Sequence, residues 1–231
     1  MTTKIRGVFF DAGNTLLRVH PSVGAVYADA ARRYGADLSA EAVEESFKEM
    51  WLRTAPLVTN EGHRLSYEKE RDWWRFIVGE VFRDHIQFDN FDAFFDYLFE
   101  RFAQSECWRL YDDVIHVLQD LNQRGLHLGI ISNWDSRLPA LLDQMEISQY
   151  FKTVVVSALV GYEKPHPAIF EIAMQQSGLG CGEIIYIGDD PVLDYQAART
   201  AGIRAYHLDR HKKFETHEGT IDGLKEVLSR I

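Results

Sequence analysis

An aspartate is ionised at neutral pH and needs no activation to attack an electrophile, and Asp11 stands at the abrupt end of the apolar run Gly7-Val8-Phe9-Phe10. Polar groups follow three more such runs. Ser132-Asn133 comes after Leu126 to Ile131, Lys164-Pro165 follows Thr153 to Val156, and Gly188-Asp189-Asp190 with Asp194 comes after Ile184 to Ile187. Ser132 and Asn133 offer a hydroxyl and an amide that donate to anionic oxygens, and Lys164 offers a cation for a charged transferring group. Asp189 and Asp194 supply further carboxylates, hard ligands suited to magnesium. One aspartate after an apolar run is ordinarily a helix cap or turn residue. Recurrence of polar groups at successive run ends is what a shared site requires.

The runs themselves read as buried parallel strands, because helical patterns separate them. Val114, Val117, Leu118 and Leu121 fall at helical spacing, as do Leu138, Leu141, Leu142 and Met145. Strand and helix therefore alternate from about Asp112 onward, which predicts an α/β, Rossmann-like parallel sheet with ligands at the carboxyl ends of its strands. From Pro21 to Phe102 the texture changes to helical periodicity rich in aromatics, among them Trp51, Trp73, Trp74, Phe94 and Phe95. The expected division is a core of residues 1–17 and 103–231 and an inserted all-helical cap of residues 18–102. Most cap aromatics are expected to pack against one another, while Trp73 and Trp74 are candidates for setting substrate choice.

Composition narrows the partners. With 231 residues, 46% hydrophobic and 26% charged, the chain is of ordinary globular type. A formal net charge of -10 leaves nothing to neutralise a phosphate lattice, so neither nucleic acid nor an anionic membrane is an expected partner. Cys107 and Cys181 form no Cys-x-x-Cys pair and predict free thiols rather than a disulfide or zinc site. The run before Asp11 is too short for a signal-peptide core and no stretch approaches a membrane span, which predicts a cytoplasmic location. Oligomeric state leaves no mark in these patterns.

Phe10-Asp11-Ala12-Gly13-Asn14-Thr15-Leu16 resembles the nucleophile loop of the haloacid-dehalogenase-like superfamily, and the three later sites match its remaining motifs in order. The helical insertion resembles that superfamily's first type of cap. Asn14-Thr15-Leu16-Leu17 with Pro21 and Gly24, and Ser132-Asn133-Trp134-Asp135-Ser136-Arg137-Leu138, are similar to a branch that includes rhythmically expressed insect proteins. The resemblance implies a hydrolase of a small phosphorylated substrate in which Asp11 forms an aspartyl-phosphate. It also implies a magnesium ion held by Asp11, the Gly13 carbonyl and Asp189, with Asp194 direct or through water and Asp190 ranked below Asp189. Thr15 is a further phosphate contact or a brace of the loop.

Gly13 is the departure from the pattern. Most phosphatases of the superfamily carry there a second aspartate that protonates the leaving oxygen, and glycine cannot move a proton. His20 is a candidate substitute. Haloacid dehalogenases and phosphonatases of the family also lack that acid and stay open as alternatives, as does a non-catalytic member that binds a phosphorylated metabolite or a protein. A dehalogenase needs no magnesium, so Asp189 and Asp194 speak against it. A phosphonatase needs a cap lysine, for which only Lys48 and Lys69 are available.

Overall fold

The computed structural model describes residues 4–231. Its strands are β1 (Gly7–Phe10), β2 (Leu17–Val19), β3 (Trp108–Leu110), β4 (His127–Ser132), β5 (Thr153–Val156), β6 (Ile184–Gly188), β7 (Arg204–Leu208) and β8 (Thr220–Ile221). Six of them form one sheet in the order β5-β4-β1-β6-β7-β8, every pairing parallel. The α/β class and the four strands expected from apolar runs are present. Strands β7 and β8 extend the sheet beyond them, and β2 pairs with β3 in a separate two-stranded ribbon.

The helices are α1 (Val23–Arg33), α2 (Ala40–Arg53), α3 (Tyr67–Phe82), α4 (Phe91–Arg101), α5 (Val114–Gln123), α6 (Leu138–Gln144), α7 (Ser157–Val160), α8 (Pro167–Ser177) and α9 (Ala197–Thr200). The chain divides into two compact units. One comprises residues 4–17, 58–64 and 110–231, and contains the large sheet with α5 to α9. Strands β1 and β6 lie inside this sheet and are buried along their whole length. They are accordingly continuous apolar runs rather than alternating ones. Phe9, Phe170 and Tyr186 are among the large side chains that fill the core on the α8 and α9 side.

Residues 58–64, from the α2–α3 connection, are fastened to this unit by polar bonds. Gly62 N–H donates to the Gly161 carbonyl at 3.1 Å, Glu163 N–H to Asn60 Oδ1 at 2.8 Å, and Val58 N–H to Glu163 Oε2 at 3.3 Å.

The second unit, residues 18–57 and 65–109, holds α1 to α4. Ser22, Ser39, Ser66 and Asn90 cap these helices, each side chain accepting from the backbone N–H three residues on. Helices α1 and α2 meet at Gly24, where an added Cβ would lie 2.2 Å from the Ala40 carbonyl oxygen, so only glycine permits the approach. Tyr27, Phe82, Phe88 and Phe94 pack together in this unit through stacked and edge contacts. Three of its tryptophans form a second group, with Trp51, Trp73 and Trp74 in mutual ring contact and Trp51 half exposed.

Candidate active site

Parallel pairing sets the register from which the site is built. Phe10 is level with Ile130 on β4 and Ile187 on β6, so Asp11 emerges between the carboxyl ends of two neighbouring strands. Its backbone N–H donates to the Ile187 carbonyl at 2.9 Å, which extends the strand pairing to Asp11 itself. Ser132 is the last residue of β4, and its hydroxyl donates to Asp11 Oδ1 at 2.9 Å. Lys164 reaches the same oxygen, Nζ to Oδ1, at 2.7 Å. Asp11 Oδ2 accepts no hydrogen bond from the described residues.

Lys164 is 3% exposed and spends its other two N–H groups on Asp194 Oδ1 at 2.6 Å and on the Tyr186 hydroxyl at 3.0 Å. Asp194 sits in a π-helical turn, Pro191–Gln196, capped by Asp190, whose Oδ1 accepts from the N–H groups of Val192 and Leu193. The carboxylate of Asp194 lies so close to the end of β6 that a Cβ on Gly188 would fall 2.2 Å from its Cγ. Glycine at 188 is thus a condition for placing Asp194. Its Oδ2 accepts from the Asp190 N–H at 3.0 Å.

Asp11, Asp189 and Asp194 each present a carboxylate oxygen within 4.8 Å of the others. Asp190 stands apart as the helix cap. Burial pushes Asp189 up to about 8, and the negative charges of Asp11 and Asp194 add to the rise, which Lys164 only partly offsets. Burial also raises Asp11, to about 6, against the opposing attraction of Lys164. Burial alone would lower Lys164, but Asp11 and Asp194 outweigh it and hold the ammonium above the usual lysine range. Three carboxylates facing one ammonium leave a formal excess of two negative charges. A divalent cation with hard oxygen ligands matches both that excess and the donor set.

The other sequence candidates fall around this cluster. Thr15 is fully buried, with its hydroxyl 3.5 Å from Asp189 Oδ1. Asn133 pairs with the Lys164 backbone, Lys164 N–H donating to Oδ1 at 2.7 Å and Nδ2 donating to the Lys164 carbonyl at 2.8 Å. Its second amide hydrogen has no acceptor among the described residues. Gly13 bridges to Leu17 and has the Trp134 ring beside it, Cζ3 lying 3.3 Å from where a Cβ would stand. His20, Lys48 and Lys69 belong to the helical unit, where Lys48 is paired with Glu44 at 3.4 Å.

Three residues around the cluster escape sequence reasoning. Tyr186, fully buried in β6, bonds Lys164 and has the Ile131 carbonyl at 3.0 Å and Asp194 Oδ1 at 2.8 Å. His207 Nε2 lies 3.1 Å from the Asp189 carbonyl oxygen. Arg210 donates to the Thr15 carbonyl at 2.9 Å while paired with both oxygens of Asp113. For Tyr186 a signal existed. A tyrosine inside a fully buried run must find a partner for its hydroxyl.

The haloacid dehalogenase-like hydrolase family model matches residues 5–202. Haloacid dehalogenase-like hydrolase domain-containing protein 3 of Danio rerio is 30% identical over 238 residues, covering 100% of this chain and 98% of that protein. The rhythmically expressed gene 2 protein of Drosophila melanogaster is 31% identical over 211 residues, covering 87% of this chain and 81% of its own. Among solved structures, a phosphatase from Thermococcus onnurineus shares the fold with a TM-score of 0.69 at 24% identity, over 98% of this chain and 97% of that one. No helix among the described residues is long and apolar enough to cross a membrane.

Proposed function

This chain belongs to the haloacid dehalogenase-like hydrolases, and from that premise we propose that it is a magnesium-dependent phosphohydrolase of a small phosphorylated substrate. The observation that carries the proposal is the cluster of Asp11, Asp189 and Asp194, with Lys164 paired to Asp11 and Asp194. Asp11, Asp189 and Asp194, with the Gly13 carbonyl, would hold the ion. When bound, magnesium would relieve repulsion between the carboxylates and an anionic substrate.

The chain's own groups supply the rest. Ser132 and Lys164 both bond Asp11 Oδ1, which fixes the carboxylate plane and leaves Oδ2 for attack on phosphorus. As the Oδ2–P bond forms, the bond from phosphorus to the leaving oxygen breaks, giving an aspartyl-phosphate on Asp11. Lys164, its three N–H groups committed to Asp11, Asp194 and Tyr186, would act on the transferring oxygens through its charge, the remaining amide hydrogen of Asn133 would be a donor to them, and the Thr15 hydroxyl braces Asp189. Water then cleaves the aspartyl-phosphate, returning Asp11 and releasing phosphate. With Gly13 in place of a carboxylic acid, the leaving oxygen must depart with little help from a proton donor. Acyl and aryl phosphates are therefore the favoured substrate class.

The test is a screen of the purified protein against acyl, aryl, sugar and nucleotide phosphates, haloacids and phosphonates, with magnesium present or chelated. Magnesium-dependent phosphate release is the expected result. Halide release indifferent to chelator would replace the proposal with carbon–halogen cleavage, and binding of phosphorylated metabolites without turnover would replace it with a non-catalytic role.

A further inference from the structure

We infer that Tyr186 is a positioning residue of this site, a single buried hydroxyl that fixes the Lys164 ammonium against the nucleophile. The inference rests on the proposed phosphohydrolase reading and adds a residue that the motifs of the nucleophile loop and acidic turn do not contain.

The argument begins with hydrogen counting. An ammonium has three N–H donors and no acceptor. In Lys164 they go to Asp11 Oδ1, Asp194 Oδ1 and the Tyr186 oxygen, so the tyrosine takes the one donor that neither carboxylate uses. The Tyr186 oxygen receives the Lys164 N–H through a lone pair. Its own hydrogen has two acceptors in reach, the Ile131 carbonyl at 3.0 Å and Asp194 Oδ1 at 2.8 Å. Either choice leaves the hydroxyl satisfied as donor and acceptor.

Position in the fold gives the bond its consequence. Ile131 immediately precedes Ser132 on β4, and Ser132 and Lys164 are the two donors that hold Asp11 Oδ1. Tyr186 thus touches one of those donors directly and stands beside the backbone of the other. Its ring is immobilised in the core, fully buried and in edge contact with Phe170 at a centroid distance of 5.4 Å. A rigid aromatic carrying one polar atom to a lysine between two carboxylates is a means of fixing the ammonium direction that a flexible four-carbon stem does not provide.

Removing only the hydroxyl tests this. Tyr186→Phe keeps the ring, whereas Leu121→Ala removes buried volume from α5 beside the turn into β4, at the opposite end of that strand from Ser132. Both variants and the wild type are compared in thermal stability, in kcat and KM for p-nitrophenyl phosphate with saturating magnesium, and in affinity for beryllofluoride followed by 19F NMR. Beryllofluoride mimics the phosphoryl group on an aspartate and needs no turnover. For Tyr186→Phe we expect kcat to fall about tenfold with KM within about twofold, since loss of a bond to a charged group acts on the aligned state. Beryllofluoride binding should weaken in parallel. Leu121→Ala should lose stability at least as much while keeping kcat within about twofold of wild type.

If Tyr186→Phe turns over and binds beryllofluoride like the wild type, or if Leu121→Ala loses kcat equally, the hydroxyl has no positioning role and the inference is overturned alone. A wild type that neither hydrolyses any phosphate nor binds beryllofluoride overturns the phosphohydrolase reading and this inference with it.

Discussion

Asn133 and Lys164 are joined by two reciprocal bonds, the lysine N–H donating to Asn133 Oδ1 at 2.7 Å and Asn133 Nδ2 donating to the lysine carbonyl at 2.8 Å. A side-chain amide here imitates a neighbouring strand and holds the backbone from which Lys164 reaches Asp11. Replacing Asn133 with Ala removes both bonds and leaves two partly buried backbone groups unpaired, at a cost of about 1–3 kcal/mol. Chemical denaturation should register that loss, and kcat should fall with it because the lysine is no longer held in place. Unchanged stability would mean that the loop is held by the strap at Asn60 and Val58 alone.

Asp11→Asn is expected to abolish turnover with little change in fold, since the amide is isosteric but cannot act as nucleophile. Circular dichroism together with phosphate release measures both. Hydrolysis retained near the wild-type rate would remove Asp11 from the mechanism.

Lys164 read from sequence is a charge for the transferring group. Its burial between Asp11 and Asp194 gives it a structural part as well. Lys164→Met leaves buried carboxylates without their cation, and breaking such a pair costs about 3–5 kcal/mol. Both stability and activity should drop, and added magnesium should restore part of the stability but not the rate. Retention of full stability in chelator would show that the two carboxylates are compensated elsewhere.

The acidic cluster also sets a pH dependence. Asp189 is raised to about 8 in the folded chain, so in the absence of metal the folded state binds a proton more tightly than the unfolded one. The associated stability is fully present below the unfolded carboxylate range, about pH 4, and is lost as pH rises through about 8. In chelator, the unfolding free energy should therefore decline across that window. Asp189→Asn should flatten the decline, and magnesium at pH 8 should recover what was lost. A metal-free protein equally stable at both ends of the window would contradict the charge excess assigned to the site.

Strand ends were legible because parallel strands buried on both faces are apolar throughout, which makes the first polar residue after each run conspicuous. Asp11, Ser132 and the acidic turn were found that way, and the sheet's pairing brings them together, whereas Lys164 lies past the short helix α7 after β5 and was picked out by its order relative to Asp11. Strand β7 was not, since Arg204-Ala205-Tyr206-His207-Leu208 mixes polar residues into a sheet flank whose second, edge-side neighbour is only the two-residue β8. Tyr186 hid inside an apolar run, where periodicity counts it as core. His207 and Arg210 act through the backbone carbonyls of Asp189 and Thr15, a kind of contact that no residue spacing encodes. Residues 58–64 hold on through Asn60 and backbone groups, which hydrophobic pattern does not register.

The last prediction concerns Gly13. The left-handed residue of this loop is Asn14, with φ of 53°, and Gly13 lies outside that region, so backbone strain does not forbid a side chain at 13. Space does restrict one. A Cβ there would stand 3.3 Å from the Trp134 ring, and the Trp134 backbone is fastened to Ser157 through its N–H at 3.0 Å and its carbonyl at 3.1 Å. Gly13→Asp should therefore fold with a loss of about 1–3 kcal/mol from crowding, and Trp134→Ala in the same chain should return part of it. General acid–base help is worth about a hundred- to ten-thousand-fold, and the double variant should capture some of it on alkyl esters such as sugar phosphates. Acyl and aryl phosphates, whose leaving groups need little protonation, should gain far less. Kinetics on one substrate of each class, with thermal stability measured alongside, decide the matter. If the wild type already cleaves alkyl and acyl phosphates equally well and the double variant folds but improves neither, Gly13 does not limit proton transfer. His20 would then be the first residue to replace in search of the donor.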